Sequence, residues 1–378
     1  MALYKTLVKK VSISPEKKTK QKDYLAKGQL PIIDQGQQLI GGYADNLELQ
    51  LSCNLPVIVF GDHTRAVKYV DFPFGAGADG IKVLEPAKGI YPKFLYYATQ
   101  YLVLRLEDRG YARHYQYIEK KELDIPSISE QKRIVAYIEE LFSELDNGEE
   151  TLRKTKQQLA VYRQAVLKDV FQGVAQNSAM VSMGELLVGI EGGKSFKCEE
   201  RPPQETEFGI VKVSAVTWGA YNEEESKTCQ PSQFIESKRI NVGDFLFSRA
   251  NTLELVGNCV VVETVNKNLM LSDKILRFHF KNGILPKYVM YYLRTHEGKK
   301  QIQSFSTGNQ ESMRNIGQDR IKKITVPVCS TEDQNRVISE IETRLSVCDS
   351  IEKTVHTALQ QAEAMRQSIL IHAFERRL

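Results

Sequence analysis

Two stretches of this chain carry an apolar residue at every seventh position. In the first, Ile138, Leu145, Leu152, Leu159 and Val166 recur with that spacing; in the second, Ile341, Cys348, Val355, Ala362 and Ile369 do. A seven-residue apolar repeat over about four heptads predicts a helix packed along a seam, as in a coiled coil. Gly148, Thr155 and Tyr162 fall between these positions in the first stretch, and Ile351, Ala358 and Met365 in the second. The small Gly148 and Thr155 are expected to face larger residues of a partner helix. Neither stretch contains Pro, and Ser129 and Thr331, each ahead of acidic residues, are the expected N-caps. A helix of 44 residues is about 65 Å long at 1.5 Å per residue, longer than a globular domain ordinarily needs. Two unrelated amphipathic surface helices would also give apolar stripes.

A repeat argues against that alternative. With an offset of 203, positions 130–173 lie on 333–376 without a gap, and 14 of the 44 positions are identical. They include Gln131/Gln334, Arg133/Arg336, Ile138/Ile341, Glu139/Glu342, Asp146/Asp349, Glu149/Glu352, Arg163/Arg366, Leu167/Leu370 and Phe171/Phe374, together with the Gln157-Gln158 and Gln360-Gln361 pairs. Chance does not give that density in an ungapped stretch, so the two helices are copies. The repeat extends upstream at offset 194, where DGIKVLEPAKGIYPKFLYYAT (79–99) matches DKILRFHFKNGILPKYVMYYL (273–293) at Gly89/Gly283, Pro92/Pro286, Lys93/Lys287 and Tyr97/Tyr291. Both read as a strand, a turn and a helix opened by Pro-Lys. Further upstream, LPVIVFGDHT (55–64) and VGDFLFSRANT (242–252) each set an apolar strand before a polar loop. The predicted order is a mixed α/β domain over 1–128, a helical spacer over 129–173, a second mixed domain over 174–330 and a second helical spacer over 331–378. The start of the second domain, VSMGELLVGIEGGKS, has no evident counterpart before Gln29.

Composition narrows the class. The 378 residues are 42% apolar and 26% charged, as in soluble globular proteins, and no run of eighteen apolar residues suggests a membrane span. The N-terminus has no apolar core of a secretory signal. Six scattered Cys, without a CxxC pair, argue against a zinc site or disulfide framework and for a reducing cytoplasm. The net charge of +4 is unevenly spread: 129–173 and 331–378 are slightly acidic, and the excess of Lys and Arg lies in 1–128 and 174–330. Basic globular segments raise the odds of a nucleic-acid partner.

The double occurrence of SEQKRIVAYIEELFSELD and TLRKTKQQLAVYRQAVLKDVFQG-like segments resembles the specificity subunit of type I restriction–modification enzymes. IVKVSAVTWG (210–219), SRANTLELVG (248–257) and GNQESMRNIGQDRIKKITVPV (308–328) are similar to stretches of that family, and the resemblance covers nearly the whole chain. It implies an α+β fold in which two target-recognition domains are held apart by two helices packed antiparallel as a coiled coil, with a pseudo-twofold internal repeat. The function implied is non-catalytic: each domain contacts one half of an interrupted duplex DNA target. The implied partners are double-stranded DNA, two modification (methyltransferase) subunits that bind S-adenosylmethionine, and restriction subunits that use ATP and Mg, with no cofactor in this chain.

No catalytic constellation competes with that expectation. GIEGGKS (189–195) approaches the phosphate-binding pattern GxxxxGK(S/T), but Val188 stands where its first Gly is needed. DFPF (71–74) approaches the motif of amino-methyltransferases, but Phe72 replaces its first Pro. No HExxH or paired metal-ligand spacing occurs. Base edges are read by Arg, Asn, Gln, Ser and Thr, usually from loops on a rigid scaffold. The candidates in the first domain are Asp62, His63, Thr64 and Arg65 of GDHTR, and Arg109, Tyr111, Arg113, His114 and Tyr115 of RGYARHYQY. In the second they are Arg249, Asn251 and Thr252 of SRANT, and Ser306, Thr307, Asn309, Gln310, Arg314 and Asn315 of STGNQESMRN. Trp218 is expected in the core. The rival reading is a coiled-coil scaffold that presents two protein-binding domains without a DNA role.

Overall fold

The computed structural model describes residues 1–78, 80–107, 110, 112–176, 178–217 and 219–375. Arg109, Tyr111 and Trp218 therefore lie outside the described residues. The chain divides into two compact units, residues 1–154 with 355–378, and residues 155–354. Both divisions fall inside the long helices, so each unit holds part of each helix.

The first unit opens with β1 (Ala2–Leu3) and β2 (Val8–Val11), followed by β3 (Leu30–Ile33), β4 (Gly42–Ala44), β5 (Val57–Gly61), β6 (Val67–Val70), β7 (Gly75–Ala76) and β8 (Ile81–Pro86). Then come α1 (Pro92–Leu104), the single turn α2 (Tyr115–Ile118), β9 (Glu122–Leu123) and the long α3 (Ile128–Ala175). The strands form a four-stranded sheet, β2-β8-β5-β6, a three-stranded sheet, β4-β3-β7, and the pair β1-β9. Strand β5, VIVFG, is buried along its whole length because it lies between β8 and β6, which is why it reads as an unbroken apolar run. Pro92 opens α1 at a position whose N–H has no helical partner to lose.

The second unit repeats this plan. It runs through β10 (Ala179–Ser182), α4 (Met183–Leu186), β11 (Leu187–Gly192), β12 (Phe208–Val211), β13 (Ser226–Cys229), β14 (Phe245–Ser248), β15 (Ala250–Asn251), β16 (Cys259–Val261), β17 (Asn268–Met270) and β18 (Ile275–Phe280). After these come α5 (Pro286–Leu293), α6 (His296–Phe305), β19 (Arg314–Asn315), α7 (Gln318–Ile321), β20 (Thr325–Val328) and the long α8 (Thr331–Phe374). Three of its sheets, β11-β18-β14-β16, β13-β12-β17 and β10-β20, correspond to those of the first unit, and the pair β15-β19 is additional. The counterpart of VSMGELLVGIEGG thus exists after all: it is residues 2–11, where β1 and β2 pair with β9 and β8 as β10 and β11 pair with β20 and β18. The pairing is the same, but Lys and Val stand in the first copy where the second has Gly and Glu, so the sequences do not align. Helix α6 and the β15–β19 pair account for much of the second domain's extra length.

Several identities of the repeat hold each domain to a long helix. Gln131 is 1% exposed; its Oε1 accepts the Tyr91 N–H at 2.8 Å, and its Nε2 donates to the carbonyls of Gly89 and Pro126. Gln334, also 1% exposed, accepts the Leu285 N–H at 2.9 Å and donates to Gly283 and Cys329. Gly89 and Gly283 have φ of +84° and +87°, the left-handed conformation that Gly tolerates. Lys93 pairs with Glu139 at 2.6 Å, and Lys287 with Glu342 at 2.9 Å. Phe171 lies against Tyr288 and Tyr292, and Phe374 against Phe94 and Tyr101. Each unit's core therefore takes in the opening turns of one helix and the closing turns of the other: Ile134, Val135, Ile138, Leu370 and Ala373 in the first, Leu167, Val170, Phe171, Val337 and Ile341 in the second.

In both units the helices run antiparallel. Arg366 pairs with Asp146 and Glu149 in the first unit. Arg163 pairs with Asp349 at 2.6 Å and Glu352 at 2.9 Å, and Arg344 with Asp169 at 2.7 Å, in the second. The repeated Arg of one copy thus meets the repeated Asp and Glu of the other. Along the seam Ile138, Leu159, Val166, Ile341, Cys348, Val355 and Ala362 are buried, and Leu145, Leu152 and Ile369 are half-buried. Two expectations are corrected. The side chains that cap the helices are those of Ser127, whose Oγ accepts the Glu130 N–H, and Ser330, whose Oγ accepts the Asp333 N–H at 3.1 Å, in place of Ser129 and Thr331. These two serines also obey the offset of 203. Gly148 faces open space, and Tyr162, Ile351 and Met365 are exposed. Thr155 and Ala358 are half-buried, so the intervening positions are only partly within the seam, and salt bridges flank a narrow apolar line.

Candidate nucleic-acid interface

In each domain the two candidate loops, distant in sequence, are joined by hydrogen bonds. In the first, β5 and β6 are linked by a tight turn in which Gly61 N–H donates to Ala66 O and Arg65 N–H to Gly61 O, with Arg65 at φ +61°. Asp62 is 3% exposed and acts as the tie. Its carboxylate accepts the Tyr115 N–H at 2.8 Å, its carbonyl accepts the His114 N–H at 2.8 Å, and its own N–H donates to Gly80 O. Lys82 lies 3.6 Å from the same carboxylate. The His63 ring meets Ala112 O at 3.2 Å, and Arg65 Nε meets His114 Nε2 at 3.4 Å. GDHTR and residues 112–115 are therefore one assembly.

A third loop, residues 34–41, joins them and was missed in the sequence. The Thr64 hydroxyl donates to Gln35 O, and Gln37 Nε2 reaches Thr64 O at 3.4 Å. Lys68, only 4% exposed, anchors this loop by donating to Asp34 O at 2.8 Å, with Asp34 Oδ1 at 3.4 Å. Burial pushes the Lys68 pKa down, against the opposing pull of Asp34. The amide-rich DQGQQ sequence was the available signal.

In the second domain the chain leaves β14 through Arg249 and forms β15, which pairs antiparallel with β19: Ala250 opposite Asn315, Asn251 opposite Arg314. Thr307 and Asn315 exchange both backbone hydrogen bonds at 2.7 Å. Leu253 N–H donates to Glu311 O at 2.8 Å. The Arg314 guanidinium staples the loop by donating to Gly308 O at 2.7 Å and to the hydroxyl and carbonyl of Ser306. Arg249 Nε points to Asn315 Oδ1 at 3.4 Å, and Asn251 Oδ1 accepts the Thr252 N–H at 2.8 Å. SRANT and STGNQESMRN are one assembly too.

Exposure sorts the candidates. Thr64, Arg113, Thr307, Asn309, Gln310 and Asn315 are exposed; Arg65, Arg249, Asn251, Thr252 and Arg314 are half-buried. His114 and Tyr115 are 1% and 3% exposed, so their side chains are taken up by the core, where the Tyr115 ring meets Phe60 and Lys10.

The near-miss motifs have structural roles. GIEGGKS begins within strand β11. At Gly193 a Cβ would fall 2.0 Å from Leu271 O, and the Ser195 hydroxyl donates to Asp273, an anion that would repel phosphate. Gly75 and Ala76, which directly follow DFPF, form β7, parallel to β3. A cavity of about 970 Å³ in the second unit is lined by Arg163, Lys287 and Arg294. These cations are engaged by Asp349 and Glu352, by Glu263 and Glu342, and by the carbonyls of Gly219 and Cys259. Among the described residues no group of three or more His, Cys, Asp or Glu is placed to hold a metal ion, and no helix is long and apolar enough to cross a membrane.

Known proteins are similar to this chain in sequence and in fold. A specificity subunit of the type I restriction enzyme EcoEI from Escherichia coli is 32% identical over 181 residues, 47% of this chain and 30% of the relative. The specificity subunit of type I restriction enzyme EcoKI, also from Escherichia coli, is 26% identical over 318 residues, 77% of this chain and 67% of the relative. The match to the first relative thus spans less than a third of that protein's length. A solved structure from work on complex assembly and conformational transition of the type I R-M system superposes with a TM-score of 0.62 at 14% identity, covering 91% of each chain. A family model described as type I restriction modification DNA specificity domain matches residues 10–155 and 180–361, one match in each half of the internal repeat. The chain therefore belongs to the family of type I restriction–modification specificity subunits.

Proposed function

We propose that this chain is the DNA-sequence-recognition subunit of a type I restriction–modification complex and does no chemistry itself. One observation carries the proposal: in both domains a loop that follows a central strand is hydrogen-bonded to a loop that precedes the long helix, and together they present Arg, Asn, Gln and Thr on a fixed backbone. Arg113 and Thr64 are the outward candidates of the first domain; Asn309, Gln310, Thr307 and Asn315 are those of the second. These side chains can donate to or accept from base edges, whereas Lys and other Arg contacts to phosphate would set position without reading sequence.

Each domain would read one block of an interrupted duplex target. The partners would be two methyltransferase subunits, which bind S-adenosylmethionine, and restriction subunits driven by ATP with Mg. The family's role supports this assignment, as does the duplication of both loop assemblies and both helices. The site of action would be the cytoplasm, where the host DNA is.

Methylated adenines mapped in host DNA, with and without this gene, test the proposal. Loss of one interrupted motif on deletion is the expected result. An unchanged methylation map, together with no duplex binding in the presence of the modification subunit, would leave the scaffold reading in its place.

A further inference from the structure

The six cysteines look scattered in the sequence, but two of them face each other in the second domain. Glu199 pairs antiparallel with Thr228 of β13, outside the main strands. The two residues exchange both backbone hydrogen bonds, Glu199 N–H to Thr228 O at 2.9 Å and Thr228 N–H to Glu199 O at 3.1 Å. They are therefore a hydrogen-bonded pair, and the residues next to this bridge on its two strands, Cys198 and Cys229, lie on the same side of it. Where an antiparallel ladder continues past such a bridge, the next opposed Cα atoms come to about 4.5 Å with their side chains on one face. A disulfide needs Cα atoms within about 4.4–6.8 Å. Both thiols are free, and both belong to one apolar cluster with Ile210, Met270, Phe208 and Phe234, so their side chains do share a face. Cys198 is half-buried and Cys229 buried.

We propose that Cys198 and Cys229 form a reversible disulfide when the protein meets a small-molecule disulfide oxidant such as oxidised glutathione, and that the bond staples the segment before β12 to β13. The accessible Cys198 reacts first. Its thiolate attacks one sulfur of the oxidant, the oxidant's S–S bond breaks, and one glutathione leaves as a thiolate that takes up a proton. The Cys229 thiol then gives its proton to solvent and attacks Cys198 Sγ, expelling the second glutathione. Two protein thiols are oxidised and one glutathione disulfide is reduced to two thiols. Dithiothreitol reverses the sequence.

Burial holds both thiols above their ordinary pKa, with nearby Lys227 partly offsetting this for Cys198. Only the thiolate attacks, so the reaction is slow near neutral pH and quickens about tenfold per pH unit below the thiol pKa.

The test incubates the full chain with oxidised glutathione at several pH values, alkylates the remaining thiols, and maps linked peptides by mass spectrometry. The expected product is a Cys198–Cys229 peptide with two fewer alkylated thiols, forming faster as pH rises. Cys229→Ala, which keeps the apolar packing, should instead retain glutathione on Cys198. Cys198→Ser, at a half-buried position, should leave Cys229 unmodified. Wild-type protein that keeps glutathione on Cys198 without closing the link, that links either cysteine elsewhere, or that remains fully alkylated after alkaline treatment overturns the proposal.

Discussion

Gln131 and Gln334 do at the residue scale what no apolar side chain could. Each satisfies one N–H and two carbonyls where a domain meets the start of a long helix, and each is almost completely buried. Gln131→Ala would strand the Tyr91 N–H and the Gly89 and Pro126 carbonyls. At about 1–3 kcal/mol for each unsatisfied group, a loss of about 3 kcal/mol or more is expected in urea unfolding. A loss below about 0.5 kcal/mol would show that the clamp is dispensable. A second cluster sets a pH dependence. Arg277, 7% exposed, donates to both Glu191 and Asp244, and Lys238 and His279 also reach Glu191. Burial raises the Glu191 pKa, but the hydrogen bonds from Lys238 and Arg277 outweigh it and hold the carboxyl down at about 2, against 4.5 for the free side chain. A carboxyl depressed by folding adds stability above its unfolded value and loses it as pH falls. The wild type should therefore lose stability between about pH 4.5 and 2, and Glu191→Gln should show a flatter profile over that window. Equal slopes in chemical unfolding would contradict the network.

The elements differ in how much of them the sequence discloses. The two long helices were legible because a heptad spacing survives on a half-exposed surface, and their duplication was legible because the shared side chains make contacts. Glu139, Asp146, Glu149 and Arg163 recur as Glu342, Asp349, Glu352 and Arg366 because each pair of copies makes the same bond in its own unit. The start of the first domain was not legible, since strands β1 and β2 keep only pairing and register, which many side chains satisfy. Nor was the joining of the candidate loops: Asp62 looks like a surface acid in GDHTR, and only the fold shows it bonded to Tyr115. The loop anchored by Lys68 hid for the same reason, because a buried lysine breaks the usual reading of charge as surface. Phe171 and Phe374 give a test at this scale. Phe→Ala in a core costs about 3–5 kcal/mol, less where the ring is partly exposed as at Phe374. Phe171→Ala should raise amide exchange chiefly in α5, and Phe374→Ala chiefly in α1. Both variants loosening the same helix would refute the docking of each helix end to its own domain. The cross-helix ion pairs are partly solvated, so a double-mutant cycle on Arg366 and Glu149 should give a coupling of about 1 kcal/mol or less.

On the scale of the whole molecule, the chain is one plan written twice, with the same sheets, the same clamps and a loop assembly in each copy. The copies share pairing and clamps but differ in their loop side chains, which suits the proposed reading of two different sequence blocks. If DNA is the partner, binding by the chain with its modification subunit should weaken with salt, log K falling with log salt at a slope of about −0.9 per phosphate neutralised. A flat salt response would argue against backbone contact. The most direct test selects bound duplexes from a random library with the complex of this chain and its modification subunit, comparing wild type with Arg113→Ala and Asn309→Ala. An interrupted motif is expected, with Arg113→Ala relaxing the sequence of one block and Asn309→Ala relaxing the other. No enriched interrupted motif, or equal loss from both blocks in each variant, would contradict the account.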